Sequence, residues 1–249
     1  MSIRFTLLIS VVLALGFIAQ PALAQLDAGF MLWKHRTELD VDNAVDFDGT
    51  SDTGEERGKN WDTQGSGFGV SASYQFPRIL QVFAELGLAQ SIVSFEDISD
   101  PARDVRTLAM DNSVHVAIGA RPQGTLPNNP RVFWSGGVVF SAMNSELARD
   151  VQRSWDYDET TLSVDGRIGY LYQNLGFYGG LRFAKYNADL NETDIGNAVG
   201  QQLRTVEFSR EASTDLLLGV QTNGSTLSGA VEFGFIGSLS ARAGITRSF

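Results

Sequence analysis

Alternation with a period of two runs through this chain, and its last stretch shows it most plainly. Leu239, Ala241, Ala243, Ile245 and Phe249 sit on one parity, while Ser240, Arg242, Gly244, Thr246 and Ser248 sit on the other. That is the pattern of a β-strand with one apolar face. A soluble protein would lay that face on a core. Here the earlier segments repeat the same one-sided pattern, and none is left over to supply a second layer. No long uninterrupted apolar run follows residue 24. A closed sheet whose apolar face meets lipid satisfies both facts, because in hydrocarbon every backbone polar group must be paired.

The alternation divides the chain into ten segments. The first strand spans Ala28 to Leu39, and its facing is open: either Phe30 and Leu32 point outward, or Met31 and Trp33 do. An acidic stretch from Asp40 to about Gln64 reads as an exposed loop. The second strand, Ser66 to Phe76, alternates Phe68, Val70, Ala72, Tyr74 and Phe76 with small or polar residues. The third, Gln81 to Phe95, sends Val82, Leu86, Leu88 and Ile92 outward and Glu85 inward. Glu96 to Met110 reads as a second polar loop. The fourth strand, Asp111 to Arg121, places Val114, Val116 and Ile118 outward, with His115 and Arg121 inward. A turn from Pro122 to Pro130 follows.

The fifth strand, Arg131 to Ala142, puts Val132, Trp134, Val138 and Phe140 outward. Met143 to Asp158 reads as a third loop. The sixth strand, Thr160 to Tyr172, turns Asp165 and Arg167 inward, and the seventh, Gly176 to Tyr186, turns Arg182 inward. A fourth loop, Asn187 to Gln202, precedes a long eighth strand, Arg204 to Gln221, with Val206, Phe208, Leu216, Leu218 and Val220 on one parity. The pair Asn223-Gly224 signals a hairpin. The ninth strand, Thr226 to Ile236, turns Glu232 inward, and Gly237 and Ser238 lead into the last. The expected fold is therefore an all-β, antiparallel, up-and-down transmembrane barrel of ten strands. It has long extracellular loops and short periplasmic turns, with eight strands as the alternative count.

The alternating strands and the terminal aromatic resemble those of bacterial outer-membrane β-barrels, in the style of small OmpA- or Opa-like and porin-like proteins. In that superfamily the last strand commonly ends in Phe and is read by the insertion machinery. The resemblance makes Ile245 and Phe249 the insertion signal, and Arg247 departs from it by standing where an apolar residue is usual. It implies outer-membrane lipid and lipopolysaccharide as surroundings, with periplasmic chaperones and the barrel-insertion machinery as partners in assembly. Met1 to Ala24 fits a cleavable signal peptide: Arg4 is the positive n-region, Phe5 to Ile18 the apolar h-region, and Ala22-Leu23-Ala24 the cleavage site. Residues 25–249 then form one barrel domain. The absence of cysteine removes disulfides and thiolate metal ligands, and a net charge of −10 disfavours nucleic acid.

The parities place Glu85, His115, Arg121, Asp165, Arg167, Arg182, Glu232 and Arg242 in the lumen. In a narrow barrel such charges must pair, since an isolated buried charge is costly. One outcome is a salt-bridged plug that closes the barrel, and the other is a narrow polar channel for small solutes. Catalysis has weaker support. The strand count resembles that of the omptin proteases, but no paired acidic residues flank His35 or His115, although Asp111 lies near the latter. No Ser and His pick themselves out as in a lipid-modifying barrel. Asp46 to Asp52 could offer oxygens to Ca²⁺ but lacks EF-hand spacing. The sequence thus points to a structural or surface-interaction protein of the cell outer membrane, with no enzyme activity, cofactor or metal expected and its extracellular ligand unspecified.

Overall fold

The computed structural model describes residues 25–46, 53, 55, 59–76, 79–97, 105–148, 153–194, 201–222, 224 and 226–249. The signal-peptide segment, most of the stretch Asp46 to Asp52, and Asn223 of the hairpin pair lie outside the described residues. The strands are β1 (Gln25–Asp46), β2 (Lys59–Phe76), β3 (Leu80–Asp97), β4 (Val105–Ala109) and β5 (Asp111–Leu126), followed by β6 (Asn129–Ala148), β7 (Arg153–Tyr172), β8 (Leu175–Asp194), β9 (Gln201–Thr222), β10 (Leu227–Ile236) and β11 (Leu239–Ser248). Every pairing is antiparallel. β1 pairs with both β2 and β11, which closes the sheet on itself. β4 and β5 both lie against β3 and form one wall strand interrupted at Met110. The lower ring therefore has ten strands.

The alternation is realised as two faces. Phe30, Leu32, Phe68, Leu88, Val164, Ile168, Phe183, Leu218, Phe233 and Ile245 are all exposed, around the whole circumference. A belt this continuous far exceeds the apolar patch that a soluble monomer tolerates, and hydrocarbon is the solvent that suits it. The facing of β1 is settled: Phe30 and Leu32 point out, while Met31 is buried inside at 2% exposure. Tyr170 and Tyr172 stand at the end of the belt nearest the turns, as in an aromatic girdle.

Above the belt the structure departs from the sequence reading. Strand extends into all four stretches taken for polar loops: β1 continues to Asp46, β2 begins at Lys59, and β4 occupies Val105–Ala109. Likewise β6 and β7 extend to Ala148 and from Arg153, and β8 and β9 to Asp194 and from Gln201. Pro122 also belongs to a strand, opposite Leu80, so the turn there is confined to Pro127-Asn128. Most charged residues of these stretches point outward, with Glu192 a buried exception, while Leu39, Trp61, Val93, Leu108, Met143, Tyr157, Leu190 and Phe208 point inward and are buried. The apolar face has moved from the outside of the wall to the inside.

Bulges help the apolar face to move. Between Tyr186 and Ala184 of β8, the partner β9 steps from Arg210 to Ser213, one residue extra. That extra residue reverses the facing, so Val206 and Phe208 are buried whereas Leu216 and Leu218 are exposed. The single parity expected for all four is corrected by this bulge. β5 has a similar step between Asp111 and Val114, and β1 between Val41 and Asn43.

The ring also narrows. β10 and β11 end at a hairpin, Ile236 to Leu239, well below the tips of their neighbours. Beyond it β1 crosses to β9: Asp40 lies opposite Ser209, Val41 opposite Phe208 and Asp46 opposite Arg204. The upper collar is built by the eight strands β1, β2, β3, β4, β6, β7, β8 and β9. The ring of ten strands agrees with the first of the two counts considered from the sequence, and only its upper rim is narrower.

Candidate functional site in the barrel interior

The interior has two storeys. In the upper one, side chains from every strand of the collar form a single apolar core that includes Val41, Trp61, Val93, Leu108, Tyr157 and Phe208. Trp61 is the hub. Its ring lies 4.5 Å from that of Phe95 and 5.0 Å from that of Phe208. A barrel this narrow has an interior that side chains fill, and large apolar ones fill it here. Tyr157 is fully buried and its hydroxyl donates to Glu159 at 2.9 Å. Burial beside that carboxylate pushes the Tyr157 phenol well above its usual value.

The floor of this core is polar. Ser91, Ser113 and Ser145, all buried, meet through their hydroxyls, with Ser91 3.1 Å from Ser113 and 3.2 Å from Ser145. Beside them Glu159 lies 3.6 Å from His35 Nε2. Burial is the largest influence and would raise the Glu159 carboxyl, but His35, Tyr157 and His115 together hold it below the usual range. Trp33 binds the two histidines of the protein together, stacking on His35 at 5.6 Å and meeting His115 at 4.8 Å.

The lower storey is a charged network within the belt. Arg242 of β11 reaches across the lumen to Glu85 of β3. Arg121 and Arg167 share Asp165 at 3.6 and 3.5 Å. Arg167 also pairs with Glu232, which accepts the Tyr178 hydroxyl at 2.9 Å. Arg182 Nε donates to Asp215 at 2.9 Å, and Asp215 further accepts the amide of Ser238 at 2.6 Å and its hydroxyl at 2.9 Å. Asp215 is fully buried, so these donors replace its lost water. Arg121 in addition rests over the Phe83 ring at 5.3 Å.

All eight lumen residues selected by parity thus project inward. Seven of them make ion pairs within the interior, and His115 packs on Trp33. Sequence reasoning left Glu159 and Asp215 out of the lumen set, weighed His35 only as a catalytic candidate, and turned Tyr178 inward without giving it a part in the network. Asp215 shares the inward parity of the lower part of β9, so the alternation carried a signal for it. Glu159 was hidden because its segment looked like loop. The Asp111 side chain is outside the described residues. Among the described residues no group of His, Asp and Glu forms a metal-binding set.

Outside, the collar is acidic. Asp156 lies opposite Glu146, and Asp189 lies opposite both Asp158 and Glu207. Partial burial and the neighbouring carboxylates Glu146 and Asp158 raise the Asp156 carboxyl; partial burial with Glu207 and Asp158 does the same at Asp189. At the opposite end of the wall, Ile245 and Phe249 are exposed on the outer face, and Arg247 lies over the Phe249 ring at 5.4 Å.

No protein-family model and no curated protein matches the chain. Solved structures do. The translocator domain of the autotransporter NalP from Neisseria meningitidis is similar at 12% identity and a TM-score of 0.44, over 99% of this chain and 95% of that one. The outer-membrane protein OprG from Pseudomonas aeruginosa is similar at 12% identity and a TM-score of 0.43, over 89% and 96%. The transport unit of the autotransporter AIDA-I from Escherichia coli is similar at 8% identity and a TM-score of 0.46, over 97% of each chain. The barrel assignment itself rests on the closed strand register.

Proposed function

We propose that this chain is a small outer-membrane barrel whose lumen is closed, and that it acts through its acidic extracellular collar rather than by passing solutes. One observation carries the reading: a continuous apolar core fills the collar directly above a lumen whose charges are paired. A water path would have to cross both storeys. The belt and the signal-peptide pattern support insertion in the outer membrane, with lipid and lipopolysaccharide around the wall and the insertion machinery and chaperones as assembly partners. The collar's outward carboxylates suit a cationic partner surface and repel nucleic acid.

The reading assigns no catalytic role. His35, His115, Glu85 and Glu159 lie beneath the apolar core, and their contacts are internal: His35 with Glu159 and Trp33, His115 with Trp33, Glu85 with Arg242, and Glu159 also with Tyr157. Their chemistry joins the two storeys. Single-channel recording of the refolded protein in a planar bilayer tests the proposal. It predicts silence from protein shown to be folded, and reproducible conductance steps would replace it with a narrow passive channel.

A further inference from the structure

The outer wall has a hollow where the belt should be smooth. Gly136 of β6 lies opposite Gly166 of β7, and Gly179 of β8 lies opposite Ile168. All three occupy outward positions: Gly136 and Gly166 are direct neighbours, and Gly179 lies one outward position nearer the turns, since Leu181 is opposite Gly166. A Cβ built on Gly166 would meet nothing within 4 Å. The result is a groove of about 670 Å³, floored by these glycines and walled by Trp134, Val164, Leu181 and Phe183. Through Ile168 and Gly179 it continues into a second hollow of about 440 Å³ between Val132, Tyr170 and Phe177.

The lower end of this track is polar. Arg131 is exposed, and its guanidinium donates to the Tyr170 hydroxyl at 3.4 Å. That hydroxyl is its side-chain partner among the described residues. An apolar track with a cation and a phenol at its end has the chemistry of an acyl chain below a phosphate. Depth agrees. Tyr170 to Val164 spans roughly 20 Å of strand, which at a tilt of roughly 40° is about 15 Å of bilayer, or one leaflet. The polar end lies beside the turns Pro127-Asn128 and Gln173-Asn174, opposite to the collar.

We infer that this track is a binding site for one phospholipid of the periplasmic leaflet. Its phosphate sits at Arg131 and Tyr170, and one acyl chain lies over Gly179, Gly166 and Gly136. The inference rests on the membrane-barrel reading above. A lipopolysaccharide would enter from the collar side and present its phosphates at the wrong end.

Native mass spectrometry of the refolded protein in maltoside micelles, titrated with phosphatidylglycerol, tests this. The expected result is one retained lipid per barrel. Gly166→Leu fills the floor without a clash and Arg131→Gln removes the cation, so each should weaken retention about tenfold or more. Leu88→Ala, on the β3 wall, should leave it unchanged. Equal retention in Gly166→Leu, or a dimer in place of the lipid adduct, overturns the site. A folded barrel that retains no lipid also overturns it. Failure of the wild-type chain to form β-structure in micelles would overturn the membrane-barrel reading instead.

Discussion

Val41 lies opposite Phe208, pairing β1 directly with β9. Lower in the barrel, β10 and β11 stand between the same two strands. That contact marks the height at which the ring loses a hairpin. The interior shrinks there, and its lining changes from charged to apolar. The polar lumen and the apolar core are thus consequences of one topological feature, a hairpin that stops short.

Phe208 fills the narrow storey against Trp61. Phe208→Ala should destabilise the collar by about 3–5 kcal/mol, the usual cost of emptying a buried aromatic site. Denaturant unfolding followed by tryptophan fluorescence checks this. The membrane-embedded strands should keep their protection in hydrogen exchange, because the lower network does not touch the cavity.

Asp215 and Arg182 test the paired lumen. Asp215→Ala leaves the Arg182 guanidinium buried without its carboxylate and should cost about 3–5 kcal/mol. Arg182→Met combined with Asp215→Leu should recover most of that loss, since removing both charges removes the unpaired one. Comparing urea midpoints of the single and double variants reads the coupling. Equal destabilisation by both would show that the pair does not hold the wall.

The outer belt gives a facing test. Leu86 is exposed on the wall opposite Val116. Leu86→Arg should cost about 2–4 kcal/mol in folding into lipid vesicles, as a charge at the bilayer midplane does. An unchanged folding yield would reverse the parity of β3.

Glu159 gives the collar a dependence on pH. Burial pushes its carboxyl up, but His35, Tyr157 and His115 together hold it below the usual 4.5. A depressed carboxyl adds stability that is fully present above its unfolded value and is lost as pH falls through the folded one. The collar should therefore weaken below about pH 4.5. Glu159→Gln should flatten that part of the profile in thermal unfolding followed between pH 7 and 3.

Much of this architecture is legible in the sequence. The alternation gives the outward and inward faces, and inward parity alone selects the eight lumen charges. It does not say which of them pair. Arg242 and Glu85 come together only because β11 and β3 lie across the lumen, a relation set by ring closure. The collar was hidden for another reason. Its strands carry charges outward, and in a stretch such as Asp40 to Gln64 those charges dominate the composition, while Leu39, Val41 and Trp61 look scattered. The bulge between Arg210 and Ser213 conceals the switch further, because it keeps Phe208 and Leu216 on the same count although they face opposite ways.

The narrowing of the ring is the central claim, and amide NMR of the refolded protein in micelles addresses it directly. The account predicts cross-strand contacts between β1 and β9 across the pairs Asp40–Ser209, Val41–Phe208, Ala44–Val206 and Val45–Thr205, with slow exchange of the Val41 and Val206 amides. Rapid exchange of these amides with no such contacts, in protein whose lower strands are protected, would contradict it. The upper strands would then be separate loops, and the lumen would be open to the outside.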